Sequence, residues 1–326
     1  MNLNKTQKRI IELLFLKKTA SKKELANEMS LSQAALTLSS KPLVEEGFIL
    51  VEGKKTNGRA GRNEELLSLN PNYGYFLGVD AKTTSITVTE MDFAGNLILD
   101  AKLFNDQEVL SCVEKECKKK NILGLNVTYR KNLSPDQHQT LIQKLNTLSI
   151  PQIHFINNVD ALANVYYFLH QEEKNFLLVK YGPGLGSCIY VNGKPIMGKN
   201  GARSEIGHAY LFNGKKLEDV ISFSALLHKE VDEIEGAEAL YQDKEKLSIA
   251  LNSLSLCLLD SDALLALDRI IFAGVLLSKQ SVVEQISENI KNYEKDFPLE
   301  KISLYPDYSL LTKKKASLQA FMDWLV

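Results

Sequence analysis

Long apolar runs are missing from this sequence, and no stretch reads as a membrane span of the ~20 residues required. The opening MNLNKTQKRIIELLFLKK is partly apolar but charged on a helical period. It lacks the small-residue cleavage site of a secretory leader, so none is expected. Cysteine is scarce. Cys112, Cys117, Cys188 and Cys257 form no CxxC pair, which argues against a disulfide framework or a zinc cluster. A reducing cytoplasm is the expected compartment, with no membrane partner. An excess of one charge sign is also absent, since the net charge is -1. The distribution is nevertheless uneven. Residues 1–70 hold 12 Lys and Arg against 8 Asp and Glu, a surplus of four, and the remainder carries -5. A basic front end on an acidic body fits a polyanionic partner for the front end alone. What is present is ordinary for a globular protein: 44% hydrophobic and 24% charged residues over 326 positions, enough for two or three domains with a sizeable core.

Ile10, Ile11, Leu13, Leu14 and Leu16 give a dense apolar face over Lys5 to Lys17. Ser21 with Glu24 has capping-box spacing and starts a second helix over Lys22–Met29. Ser32 starts a third, over Gln33 to about Glu46, with Leu36 and Leu43 inward and Pro42 expected to kink or shorten it. Three short helices with tight turns read as a helix-turn-helix. The third helix offers Ser32, Gln33, Thr37, Ser40 and Lys41, small, polar or positive side chains suited to base edges and phosphates. Strands at Phe48–Val51 and Leu66–Leu69 flank a basic, glycine-containing tip and read as a wing. Its Arg59 and Arg62 are expected to enter a minor groove or meet phosphates.

From Tyr73 the pattern changes. A strand to Asp80, a hairpin at Asp92–Asn96, then alternating helices and strands to Val179 describe an α/β lobe. Gly182-Pro183-Gly184-Leu185-Gly186-Ser187 is followed by the turn Asn192-Gly193 and by Glu205-Ile206-Gly207-His208. In this order and spacing the chain resembles the ROK family (repressors, open reading frames and sugar kinases), from the first helices to Leu267–Gly274. The resemblance implies an actin-like, ribonuclease H-like pair of α/β lobes with a sugar-binding cleft, preceded in the repressor branch by a winged helix-turn-helix. The expected organisation is a DNA-binding domain over 1–70, a first lobe over 71–180 and a second over 181–326.

Departures from the kinase pattern carry a second message. The phosphate loop that such kinases write as Asp-x-Gly-x-Thr reads Asp80-Ala81-Lys82-Thr83-Thr84, with Lys82 where glycine admits a phosphate. Where the resemblance implies an Asn-Asp pair with a catalytic aspartate, the chain has Asn157-Asn158. An amide is a poor proton acceptor at neutral pH. Asp160 stands two positions further on. Pro183 enters the second phosphate loop, and the adenosine-side glycines are reduced to Ala273-Gly274-Val275. His208 remains of the family's zinc motif, but residues 209–216 hold no cysteine and Lys216 replaces the last one, so neither metal nor cofactor is expected; packing of Tyr210 and Phe212 is expected to order that loop instead. His138, His154, His170 and His228 have no metal-ligand spacing. The resemblance leaves Asn157, Asn158, Glu205, His208 and Glu218 as the sugar-facing set.

The expected function is a non-enzymatic transcription regulator. It would be a homodimer or dimer of dimers on double-stranded operator DNA, responsive to a sugar or phosphosugar whose charge Lys82, Arg203 or Lys216 would meet. Two alternatives stand beside it: an active sugar kinase with an accessory DNA-binding domain, and a ligand-free scaffold.

Overall fold

The computed structural model describes residues 2–55, 64–81, 85–129, 139–199, 203–211 and 213–326. Two compact units result: Met1–Ala161 together with Thr312–Val326, and Leu162–Leu311.

The first unit opens with α1 (Lys5–Lys17), β1 (Thr19–Ser21), α2 (Lys22–Glu28), α3 (Gln33–Glu45), β2 (Ile49–Lys55) and β3 (Glu64–Leu69). Side chains make these starts explicit. Asn4 and Gln7 form a capping box on α1, Ser21 and Glu24 form one on α2, and Ser32 Oγ accepts from the Ala35 amide at 3.1 Å. The three strands pair antiparallel in the order β1-β3-β2. Ile10, Ile11, Leu14, Leu25, Leu36, Leu43 and Leu67 are buried. Contrary to expectation, α3 runs through Pro42 to Glu45. The proline removes one amide donor without ending the helix, whose Leu43 still anchors it in the core. Residues 56–63, including Arg59 and Arg62, lie outside the described residues.

The same unit continues with β4 (Tyr75–Ala81), β5 (Ile86–Asp92), β6 (Leu97–Leu103), α4 (Asp106–Lys119), β7 (Ile122–Tyr129), α5 (Gln139–Leu145) and β8 (Ile153–Asn157). Their sheet has the order β6-β5-β4-β7-β8. The antiparallel hairpin strands lie on one side and the parallel strands on the other. β4 is central and covered on both faces, which is why Phe76-Leu77-Gly78-Val79 reads as a continuous apolar run. Val109, Val113, Leu141 and Leu145 cover one face.

α6 (Asn158–Leu169) carries the chain into the second unit. There follow β9 (Phe176–Tyr181), β10 (Leu185–Val191), β11 (Lys194–Pro195), a 3-10 turn (Ile206–His208), α7 (Leu217–Ile221), α8 (Phe223–Leu227), α9 (Glu233–Gln242), α10 (Lys244–Leu265), β12 (Arg269–Ala273), α11 (Gln280–Tyr293), β13 (Ile302–Leu304) and α12 (Tyr308–Leu325). The sheet order is β11-β10-β9-β12-β13, with β9, β12 and β13 parallel. α10 corrects one expectation, since by length and composition it is apolar enough to cross a membrane. Leu247, Ala250, Leu251, Leu254 and Leu258 spend that apolarity in the core of this unit.

β9 belongs to the second sheet, and the two compact units divide at Ala161/Leu162. Residues 1–70 share a compact unit with the first α/β sheet. Phe15 stacks on Phe321 of α12 at 4.4 Å, and Phe48 meets Tyr73 and Phe93 at centroid separations of 3.9 and 6.0 Å. Phe93 packs edge-on against Trp324 at 5.3 Å. Lys18 Nζ donates to Ala94 O at 3.1 Å and Lys314 Nζ to Gly95 O at 2.7 Å. Gly95 sits at φ +89°, and a Cβ there would lie 2.8 Å from the Phe15 ring.

Candidate functional site

Two groups of side chains carry recognisable chemistry. The first is the outer face of α3. Ser32, Gln33, Thr37 and Lys41 are exposed as expected. Thr37 Oγ1 donates to Gln33 O at 2.8 Å, and Lys41 Nζ lies 3.6 Å from Glu45. Ser40 is a correction: it is 1% exposed, with its hydroxyl donating to Thr37 O at 3.4 Å. It follows Leu36 by four positions and therefore shares the inward face with Leu36 and Leu43. Leu38, which the sequence reading does not place on this face, is 74% exposed beside Thr37 and Lys41. Its signal was available, because Leu38 lies outside the Leu36–Ser40–Leu43 stripe. An α-helix presenting Gln33, Ala34, Thr37, Leu38 and Lys41 has amide, methyl and ammonium groups for base edges and phosphates in a major groove.

The second group lies in the second unit. Backbone packing fixes the turn that bears it. The Ile206 amide donates to the buried Ser187 Oγ at 2.8 Å, and a Cβ on Gly207 would stand 2.6 Å from Leu185 O, so only glycine lets the turn approach β10. Glu205 and His208 flank this turn, and Glu218 comes from the first turn of α7. The structure brings these three together. His208 Nε2 is 3.5 Å from Glu205 Oε2 and 3.3 Å from Glu218 Oε1. An imidazole shared between two carboxylates holds both acceptors in fixed directions, a suitable arrangement for neighbouring hydroxyls. Asn157 and Asn158 belong to the other unit, at the β8–α6 junction. There Asn157 Oδ1 accepts from the Val159 amide at 2.8 Å and so caps α6.

Among the described residues no group of His, Cys, Asp and Glu suited to a metal ion occurs. The expectation that Tyr210 packs is corrected, since its ring is exposed; Phe212 lies outside the described residues. Backbone bonds close the loop instead: the amides of Leu217 and Leu211 donate to Ala209 O and Lys215 O, each at 2.8 Å.

Asp80, which opens the run resembling a kinase phosphate loop, is engaged by two buried partners. Asp80 Oδ2 lies 2.5 Å from Lys315 Nζ of α12, and Thr128 Oγ1 donates to Asp80 Oδ1 at 2.7 Å, all of them buried. Lys82 lies outside the described residues.

Two α/β units built on five-stranded sheets, the first opening strand–hairpin–strand, define a two-lobed fold of the sugar-kinase type. The model of the ROK family matches residues 123–307, and the chain belongs to that family. A xylose repressor of Staphylococcus xylosus is 23% identical over 264 residues, which span 70% of this chain and 68% of that protein. Among solved structures, a ROK family transcriptional regulator that is a homolog of the E. coli MLC protein matches with a TM-score of 0.67 at 17% identity, covering 98% of both chains. A ROK hexokinase from Thermus thermophilus matches with a TM-score of 0.60 at 15% identity, covering 76% of this chain and 99% of its own. The kinase thus finds its whole fold here and leaves the remainder of this chain without a counterpart.

Proposed function

We propose that the chain is a ROK-type transcription regulator, a repressor that reads operator DNA through a winged helix-turn-helix over residues 1–70. The observation that carries the reading is the exposed face of α3, with Gln33, Thr37, Leu38 and Lys41 displayed from a capped helix set in its own three-helix core. The basic surplus of this region supports it. Arg59 and Arg62 complete the proposed DNA surface.

The proposed effector is a sugar, held by Glu205, His208 and Glu218 with Asn157 and Asn158. Because a relative is a xylose repressor, a pentose is the first effector to test. The body performs no phosphoryl transfer: Asn158 offers an amide where a proton acceptor is needed, and Asp80 is engaged by Lys315. A homodimer would place two reading heads on a pseudo-palindromic site, in the cytoplasm where DNA is found. The sugar acts by preferring one of two states that differ in DNA affinity.

Electrophoretic retardation of the promoter region of its own operon, at physiological salt, tests the DNA half. Specific retardation relieved by xylose or a related pentose is expected, and no specific shift at micromolar dimer would sink the reading. A coupled ADP-release assay over a sugar panel tests the other half, with no turnover expected.

A further inference from the structure

In the second unit, Gly182-Pro183-Gly184 and Ala273-Gly274-Val275 are the segments that the family resemblance sets against the nucleotide side of the kinases. They leave the sheet at one edge. β9 and β12 are parallel neighbours with Lys180 opposite Ala273, so both segments emerge at the carboxyl ends of the strands, where ligands bind in α/β sheets. In this chain that edge already holds an anion. Glu233, the first residue of α9, directs its carboxylate at it. Oε1 accepts from the Val275 amide and from Tyr308 Oη, each at 3.0 Å, and Oε2 lies 3.1 Å from Lys180 Nζ. A Cβ on Gly274, which sits at φ +107°, would be 2.4 Å from Tyr181 O and 3.3 Å from Glu233 Oε1, and a Cβ on Gly182 would be 3.6 Å from Glu233 Cγ, an ordinary contact. The carboxylate therefore fits against both glycine segments at once. Asp232 fixes its helix by accepting from the amides of Ile234 and Glu235 at 2.9 and 2.8 Å.

An amide next to a glycine, an ammonium and a hydroxyl, converging on one point, are the donors a phosphate oxygen would take. A buried carboxylate must have its remaining lone pairs satisfied, and here the donors that satisfy them are the glycine-borne amide of Val275 and the Tyr308 hydroxyl, both at the edge where the two glycine segments emerge. We infer that Glu233 stands in for a nucleotide phosphate and excludes nucleotide from this chain, making it the residue that fixes a nucleotide-independent specificity. An incoming phosphate would meet a like charge and donors already engaged. The first unit shows the same device with the sign reversed, since the Asp80 carboxylate is taken up by Lys315. A nucleotide does not fit the donor set as this chain presents it. The inference rests on the sugar-kinase fold and on the absence of phosphoryl transfer in the reading above, not on DNA binding.

Calorimetric titration of the full chain with magnesium AMPPNP and with inorganic phosphate tests it. The unaltered protein is expected to bind neither at millimolar concentration. Glu233→Ala is expected to acquire saturable phosphate binding and a melting temperature raised by phosphate over chloride at equal ionic strength. Should Glu233→Ala fail to fold alone, folding restored by phosphate supports the inference, and failure of phosphate to restore it overturns it. Nucleotide binding by the unaltered protein, a folded Glu233→Ala indifferent to phosphate, or rescue by acetate without rescue by phosphate would each overturn it as well. Operator retardation recorded on the same preparation keeps the two readings apart. Lost DNA binding with no nucleotide binding strikes the regulator reading alone, and nucleotide binding with intact retardation strikes this inference alone.

Discussion

A buried ammonium needs a reason, and Lys315 has one in Asp80. Both side chains are almost fully removed from water, so either charge left alone would be costly. Lys315→Met is expected to lower unfolding stability by about 3–5 kcal/mol, the usual cost of leaving a buried charge unpaired. Asp80→Val combined with Lys315→Met should recover much of that loss, because a well-packed apolar pair is close to neutral. Urea titrations of the single and double variants measure both, and additive losses would show that the pair is not the cause. Glu233 makes a pH-dependent statement. Burial pushes its carboxyl up, but the ammonium of Lys180 and the bonds from Val275 and Tyr308 outweigh this and hold it below the ordinary carboxylate value. A depressed carboxyl contributes stability that is fully present above its unfolded-state pKa and lost as pH falls through the folded one. The melting-temperature gap between the unaltered protein and Glu233→Gln should therefore shrink as the buffer is acidified below the carboxylate range. A gap that stays constant with pH would remove the charge from the explanation. The sequence made Asp80 legible as a phosphate-loop residue, but Lys315 lies far along the chain in a helix with no motif, and nothing local ties the two.

At the scale of the element, α3 shows what periodicity can and cannot assign. Its start follows from Ser32, and its inward side from Leu36 and Leu43. Ser40 reads outward by its chemistry, although its spacing from Leu36 puts it inward. Leu38 is apolar and by type reads as core, although it lies off the Leu36–Leu43 stripe. Two substitutions separate fold from recognition. Leu38→Ala should leave the unfolding free energy almost unchanged, within about 0.5 kcal/mol as for most surface changes. It should weaken operator binding by up to about 1.5–3 kcal/mol, the worth of burying a leucine side chain. Ser40→Asp should unfold the head by burying an unpaired charge. Fluorescence anisotropy on labelled operator, with circular dichroism as the folding control, reads both. Full affinity in a folded Leu38→Ala would take Leu38 out of the reading face. The Glu205–His208–Glu218 group was legible for a different reason: the family resemblance implied all three, and the structure brings them together although Glu218 lies ten positions beyond His208.

At the scale of the whole molecule, the order of elements and the family fold could be read from local spacing, whereas the grouping of the chain into units could not. Grouping depends on contacts between distant segments. α12 is the clearest case. It starts among residues of the second unit and ends inside the first, where Phe321 stacks on Phe15 and Trp324 meets Phe93. Gly78 of β4 lets it approach so closely that a Cβ there would lie 2.3 Å from the Ser317 amide nitrogen. This C-terminal helix is thus core to the unit that bears α1–α3, and those helices are not a bead on a free linker. Phe321→Ala should then cost about 3–5 kcal/mol, as large aromatic deletions in cores do. Removing residues 312–326 should abolish folding of that unit together with DNA binding. Limited proteolysis read by mass spectrometry would locate the damage, which is expected as cleavage within residues 1–161 while 162–311 resists. If the truncated chain kept protease resistance over α1–α3 and full operator affinity, the head would be an independent domain and the packing of Phe15 and Phe93 against α12 would be incidental to its fold.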